Sequence, residues 1–192
     1  MKRRLTHWAL AAGALAFSAA VFPAPPNAEM LANACAGCHG TNGGSAGDTM
    51  PSLANQSVWA ITDAMLAYKS GERSSTIMGR LAKGYTDEQI TAMAEFFAKQ
   101  KLHATDQKVD KAKVARAAKL EKKTCGRCHL DQGKDGKDNT PVIASQWLPY
   151  LQIQKELYDS GKRKMPEKMA EKFQETSQQD LDALVHFYAA QK

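Results

Sequence analysis

Apolar residues recur at helical spacing in two stretches that echo each other. Ile90, Met93, Ala94 and Phe97 mark one face of a helix, and Leu181, Leu184, Val185 and Tyr188 mark the same face ninety-one positions later. Thr86 with Gln89, and Ser177 with Asp180, supply N-cap signals at the starts of these two helices. Upstream of the first, Ile61, Ala64, Met65 and Tyr68 predict another amphipathic helix. Further upstream, each half opens with a short helical stretch, "LANACAGCHG" and "KKTCGRCHL", followed by a Gly-rich or charged loop. No strand pattern flanks either stretch, so the chain is expected to be all-α.

The halves align at an offset of ninety or ninety-one over most of their length. Pro51 meets Pro141, Ala54 meets Ala144, Gln56 meets Gln146, "YKSGER" from Tyr68 meets "YDSGKR" from Tyr158, and "FFAKQK" from Phe96 meets "FYAAQK" from Phe187. This is an internal duplication. It divides the chain into units 29–105 and 106–192. The charged stretch from His103 between them reads as linker at its front and as the first helix of the second copy at its end. Units this small bury too little apolar surface to be comfortable alone, so each needs something further at its centre.

The four cysteines supply it. Cys35 and Cys38 are followed by His39, Cys125 and Cys128 by His129, and no cysteine is left over. A zinc site with four protein ligands wants converging clusters with histidines several residues apart. A thioredoxin-like pair wants a strand and helix around it. Cys-x-x-Cys-His matches covalent attachment of a c-type haem, in which two thioethers hold the porphyrin and the imidazole takes one axial iron position. Two copies predict two covalently bound haem c groups, and the apolar macrocycle completes each small core.

A low-spin haem of this kind needs a sixth ligand, and a methionine thioether favours ferrous iron. Most of the eight methionines have plainer roles: Met1 is the initiator, Met30 is near the mature terminus, Met50 precedes Pro51 in a loop, and Met65 and Met93 sit on core stripes. Met78, Met165 and Met169 remain, all in segments expected to be irregular between the second and last helices of a copy. Met78 stands eight residues before Thr86 and Met169 eight before Ser177, which favours Met169 over Met165 as the partner of His129. His103 lies in the linker, and His186 aligns with Glu95, which suggests a solvent-facing position rather than a ligand.

Charge and the N-terminus place the chain. Lys2, Arg3 and Arg4 precede an apolar run from Trp8 to Val21, too short to span a bilayer comfortably, so residues 1–28 resemble a secretory signal peptide. Cleavage after Ala20, Ala24 or Ala28 fits equally, and a periplasmic location follows. No other stretch could cross a membrane. The formal charge of +6 falls to +3 without the leader's three basic residues, and no basic helix interleaved with aromatics argues for nucleic acid. Residues 29–105 are nearly neutral, with six Lys/Arg against seven Asp/Glu, whereas 106–192 carry seventeen against thirteen.

"EMLANACAGCHGTNG", "AYKSGERSSTIMGRLAKGYTDEQI" and "SGKRKMPEKMAEKF" resemble the dihaem cytochrome subunits of flavocytochrome c sulfide dehydrogenases. The resemblance implies two tandem class I cytochrome c-like domains, each wrapped round one covalent haem. The motifs and spacings above give Cys35, Cys38, Cys125 and Cys128 as the attachment points, with His39, Met78, His129 and Met169 as axial ligands. In cytochrome c folds a proline at the place of Pro51 and Pro141 offers its carbonyl to the proximal imidazole. The resemblance also implies a heterodimer with a flavoprotein subunit that carries FAD, oxidises sulfide and passes electrons to this non-catalytic chain, which hands them to a soluble or membrane-bound acceptor. The chain has no Gly-x-Gly-x-x-Gly fingerprint and no spare thiol, in keeping with that division. The other readings are a free-standing periplasmic carrier donating to a terminal oxidase or reductase, and a haem peroxidase.

Overall fold

The computed structural model describes residues 27–136 and 139–192; the leader expected at 1–28 lies outside them except for its last two residues. The first copy starts with α1 (Ala28–Asn33), whose Asn27 side chain accepts the Met30 N–H, and α2 (Ala36–His39). α3 (Val58–Ser70) is capped by Ser57 and ends at Gly71, whose φ of 85° is readily open only to glycine. α4 (Met78–Leu81) is a single turn, and α5 (Asp87–Ala98) starts with the expected reciprocal Thr86–Gln89 capping box. The second copy runs through α6 (Lys111–Lys123), a 3-10 turn (Cys125–Arg127), α7 (Leu130–Gly133), α8 (Leu148–Asp159), α9 (Glu167–Glu175) and α10 (Gln178–Ala190). Among the described residues there are no strands, and no helix is long and apolar enough to cross a membrane.

Matched positions do matched structural work. The Gly43 carbonyl accepts from Leu53 and Ala54, and the Gly133 carbonyl accepts from Ile143 and Ala144. Asn55 donates to the Phe97 carbonyl at 3.0 Å, and Ser145 to the Tyr188 carbonyl at 2.9 Å, with both donors held at positive φ. The apolar stripes bury as expected around Ala32, Ile61, Ile90, Met93, Ala94 and Phe97 in one copy, and around Ala117, Leu181, Leu184, Phe187 and Tyr188 in the other.

Three expectations need correction. Val185 is only half-buried, while Ala183, His186 and Phe187 are buried, because α10 is packed by both α6 and α8 and loses its solvent face over much of its length. His186 is therefore not solvent-facing: it is 7% exposed, and its Nδ1 accepts the Asp110 N–H at the start of α6. Met78 and Met169 lie in helices rather than irregular chain.

The copies meet across a pseudo-twofold seam. Gln146 accepts from the Ser52 N–H at 2.9 Å and donates to the Ser52 carbonyl at 2.7 Å, while Gln56 does the same with the N–H and carbonyl of Val142. Gln56 aligns with Gln146 and Ser52 with Val142, so one side-chain contact is used twice. Trp147 donates its indole N–H to the Ser45 carbonyl at 2.9 Å, and the Tyr150 N–H donates to Asp48 at 3.1 Å.

Candidate haem centres

Cys35 and Cys38 sit either side of the start of α2, Cys35 half-buried and Cys38 exposed, with His39 closing the helix and buried. The His39 Nδ1 lies 2.8 Å from the Pro51 carbonyl. A carbonyl only accepts, so Nδ1 carries the proton and the Nε2 lone pair is free for iron. Burial pushes the imidazole pKa down, with the Pro51 carbonyl opposing it, so the neutral, ligating form is favoured. Burial also pushes the Cys35 and Cys125 thiols up.

The second motif is built differently for a local reason. Gly40 leaves α2 at φ 74°, ψ 164°, a region essentially reserved for glycine. Its counterpart is Leu130, which cannot follow. The reversal moves on to Asp131 (φ 47°), while Gln132 (φ 58°) repeats the positive φ of Asn42 (56°), and Cys125–Arg127 tighten into a 3-10 turn. His129 is pushed down by burial as His39 is, with the Pro141 carbonyl opposing. Its Nδ1 nevertheless closes no hydrogen bond.

Met78 begins α4 and is half-buried; the Ser75 hydroxyl takes the next residue's N–H at 2.7 Å and fixes that turn. Met169 is half-buried near the start of α9, which is pinned to α8 by the Tyr158–Phe173 ring pair at 6.1 Å. Met165 precedes Pro166 outside the helix, in a surface groove with Tyr158, Asp159, Phe173 and Gln178. His103 packs against Gly44, where an added Cβ would lie 2.8 Å from its Nδ1.

Arg73 and Arg163 stand at matched positions in "YKSGER" and "YDSGKR"; the sequence offers Arg163 only as part of the basic run 162–164 and does not mark Arg73. Each has a buried N–H without a partner. The Arg73 guanidinium lies 5.1 Å over the Tyr68 ring. Both arginines, with Tyr68 and Tyr158, also bear on Tyr150, whose hydroxyl burial pushes up to about 12. Buried, unsatisfied guanidinium donors call for carboxylates, and haem propionates are carboxylates of the right kind. The repeated Arg two residues after a Ser-Gly pair was the legible signal. Among the described residues no group of three or more His, Cys, Asp and Glu side chains gathers as a conventional metal site would require, whereas thioether attachment plus one imidazole fits each motif.

Fold and site together define a c-type cytochrome. The cytochrome c family matches residues 27–101, and the family of cbb3-type cytochrome c oxidase subunit III matches 112–187. Cytochrome c-554(548) of Halomonas halodenitrificans is 32% identical over 69 residues, covering 34% of this chain and 83% of that protein. The chain belongs to the c-type cytochromes.

Its other relatives act in sulfur metabolism by name. The cytochrome subunit of sulfide dehydrogenase of Chlorobaculum tepidum is 49% identical over 69 residues, which span 36% of this chain and 62% of that protein. The thiosulfate dehydrogenase electron acceptor of Thiomonas intermedia is 27% identical over 150 residues, 73% of this chain and 67% of that one. Among solved structures, reduced recombinant cytochrome c4 from Pseudomonas stutzeri superposes at a TM-score of 0.72 with 21% identity, covering 88% of this chain and all of that one. The fold is thus that of cytochrome c4: two helical cytochrome c domains arranged as a dihaem chain.

Proposed function

We propose that this chain is the electron-transfer subunit of a periplasmic sulfur-oxidising dehydrogenase, paired with an FAD-containing flavoprotein that oxidises sulfide. The observation that carries this reading is the 49% identity to a protein named as the cytochrome subunit of sulfide dehydrogenase. Each unit, 29–105 and 106–192, holds one haem through Cys35 and Cys38 or Cys125 and Cys128. Haem iron supplies one-electron chemistry at each centre. His39 and His129 would hold the iron through Nε2, and Met78 and Met169 would supply thioethers that favour the ferrous state. Met169 is preferred to Met165 because it shares Met78's spacing to the last helix. Arg73 and Arg163 neutralise propionates at the seam, where the two units approach. The chain itself holds no catalytic residue.

The Thiomonas relative supports a second reading, in which the chain is a separate acceptor serving a thiosulfate dehydrogenase. Native purification separates the two. A stable complex with a larger, yellow, FAD-containing subunit supports the first, and a chain that purifies alone and is reduced by thiosulfate dehydrogenase overturns it.

A further inference from the structure

Beside each cysteine motif the copies share the two cysteines and the histidine but little else, and three of the differences lie together in the second copy. Leu31 and Phe97 face the first motif. Their counterparts at the second are Glu121, buried at 3% exposure, and Tyr188, at 5%. Glu121 stands one turn before Cys125, and its carboxylate lies over the attachment turn: a Cβ added at Gly126 would come within 2.5 Å of Oε1. The first copy has Ala36 at that position, beside an aliphatic Leu31. Glycine in the second copy is the accommodation the carboxylate requires.

A buried carboxylate is costly unless something offsets it. The Tyr188 hydroxyl is buried without a hydrogen-bond partner and bears on the ionisation of both Glu121 and Cys125. From α6 itself Lys122 favours the charged form, and from the turn Cys125 is the remaining neighbour. Other charges along the α6–α10 seam are paired among themselves, Lys113 with Asp182 at 2.6 Å and Arg116 with Asp180 at 2.8 Å. His186 lies with Asp110 and Lys113.

We propose that Glu121, steadied by Tyr188, sets the potential of the C-terminal haem and takes up a proton when that haem is reduced. The inference rests on the dihaem reading above. Cys125 would hold the porphyrin through one thioether, so a buried charge packed on its turn would act on the iron with little screening by water. Ferric iron carries one more positive charge than ferrous, so the Glu121 carboxylate stabilises the oxidised state and lowers the potential. The balanced step is Fe(III) plus one electron plus Glu121 carboxylate plus one proton giving Fe(II) plus Glu121 carboxylic acid. The electron comes from the protein's donor and the proton from bulk water; no bond of the porphyrin or the thioethers changes. Burial raises the carboxyl pKa, with Lys122 and Tyr188 opposing. Leu31 gives the N-terminal haem no such group.

The test is spectroelectrochemical titration of the holoprotein from pH 5 to 9, with infrared redox difference spectra, for the natural chain, Glu121→Gln, Glu121→Leu and Tyr188→Phe. The natural chain is expected to show one pH-dependent haem, approaching ~59 mV per pH unit, the one-electron equivalent of a tenfold change in proton concentration. The other haem should be flat. Both Glu121 variants should abolish the slope, raise that haem's potential and remove a carboxyl band from the difference spectrum. Tyr188→Phe should move the slope to higher pH, since Glu121 loses a neighbouring hydroxyl that favours its charged form. A slope that survives both Glu121 variants, or two flat haems in the natural chain, overturns the inference. Haem content is measured on the same samples: fewer than two haems per natural chain overturns the dihaem reading itself.

Discussion

At His39 a single hydrogen bond selects the tautomer: the Pro51 carbonyl accepts from Nδ1–H and leaves the Nε2 lone pair for metal. The cysteines and both histidines were legible in sequence because their chemistry needs fixed spacing. His186 was misjudged from its alignment with Glu95, because its burial depends on α6 docking over it, a tertiary contact that no local pattern reports. Met78 and Met169 stand at equal distance from a cap in sequence, but the turn that holds Met78 was not legible, since a one-turn helix has too few residues to show a period. Met169→Ala is expected to abolish the far-red sulfur-to-iron band of one haem and lower that haem's potential, while Met165→Ala leaves both unchanged. Visible spectra and redox titration of the two variants check this.

Between elements, the repeat was readable but the way its halves join was not. Gln56 and Gln146 aligned in sequence without revealing that each would clasp the other copy's backbone. Replacing either by Ala leaves a buried N–H and carbonyl unpaired, at about 1–3 kcal/mol per group. Urea unfolding of Gln56→Ala or Gln146→Ala should show a lower midpoint and a transition that splits toward two steps.

The α6–α10 contact is pH-sensitive through His186. Burial and then Lys113 hold its pKa below the ordinary histidine value, so folding favours the neutral ring that accepts from Asp110. A base depressed by folding binds more protons when unfolded. Its contribution is therefore present above the unfolded value of about 6.5 and lost as pH falls below it toward the folded value. The melting temperature should drop on acidification from pH 7 to 5, and His186→Gln should flatten that drop.

At the scale of the whole molecule, charge and seam organise the contacts. The basic excess of residues 106–192 is not all free surface charge: Lys164 forms an exposed pair with Glu72 of the other copy at 3.2 Å, and Arg163 holds a buried N–H at the seam. Neutralising Lys162 alone is therefore a cleaner probe of acceptor steering than neutralising the run 162–164. Reduction of an acidic acceptor by Lys162→Gln should be slower at low salt and converge with the natural chain as salt rises.

The central claim, that this chain carries electrons released by a catalyst elsewhere, is tested most directly by anaerobic stopped-flow with sulfide. With an FAD-binding partner subunit present, sulfide should reduce the chain by two electrons, one per haem, far faster than sulfide alone does. Equal rates with and without the partner, or uptake of only one electron, would contradict it.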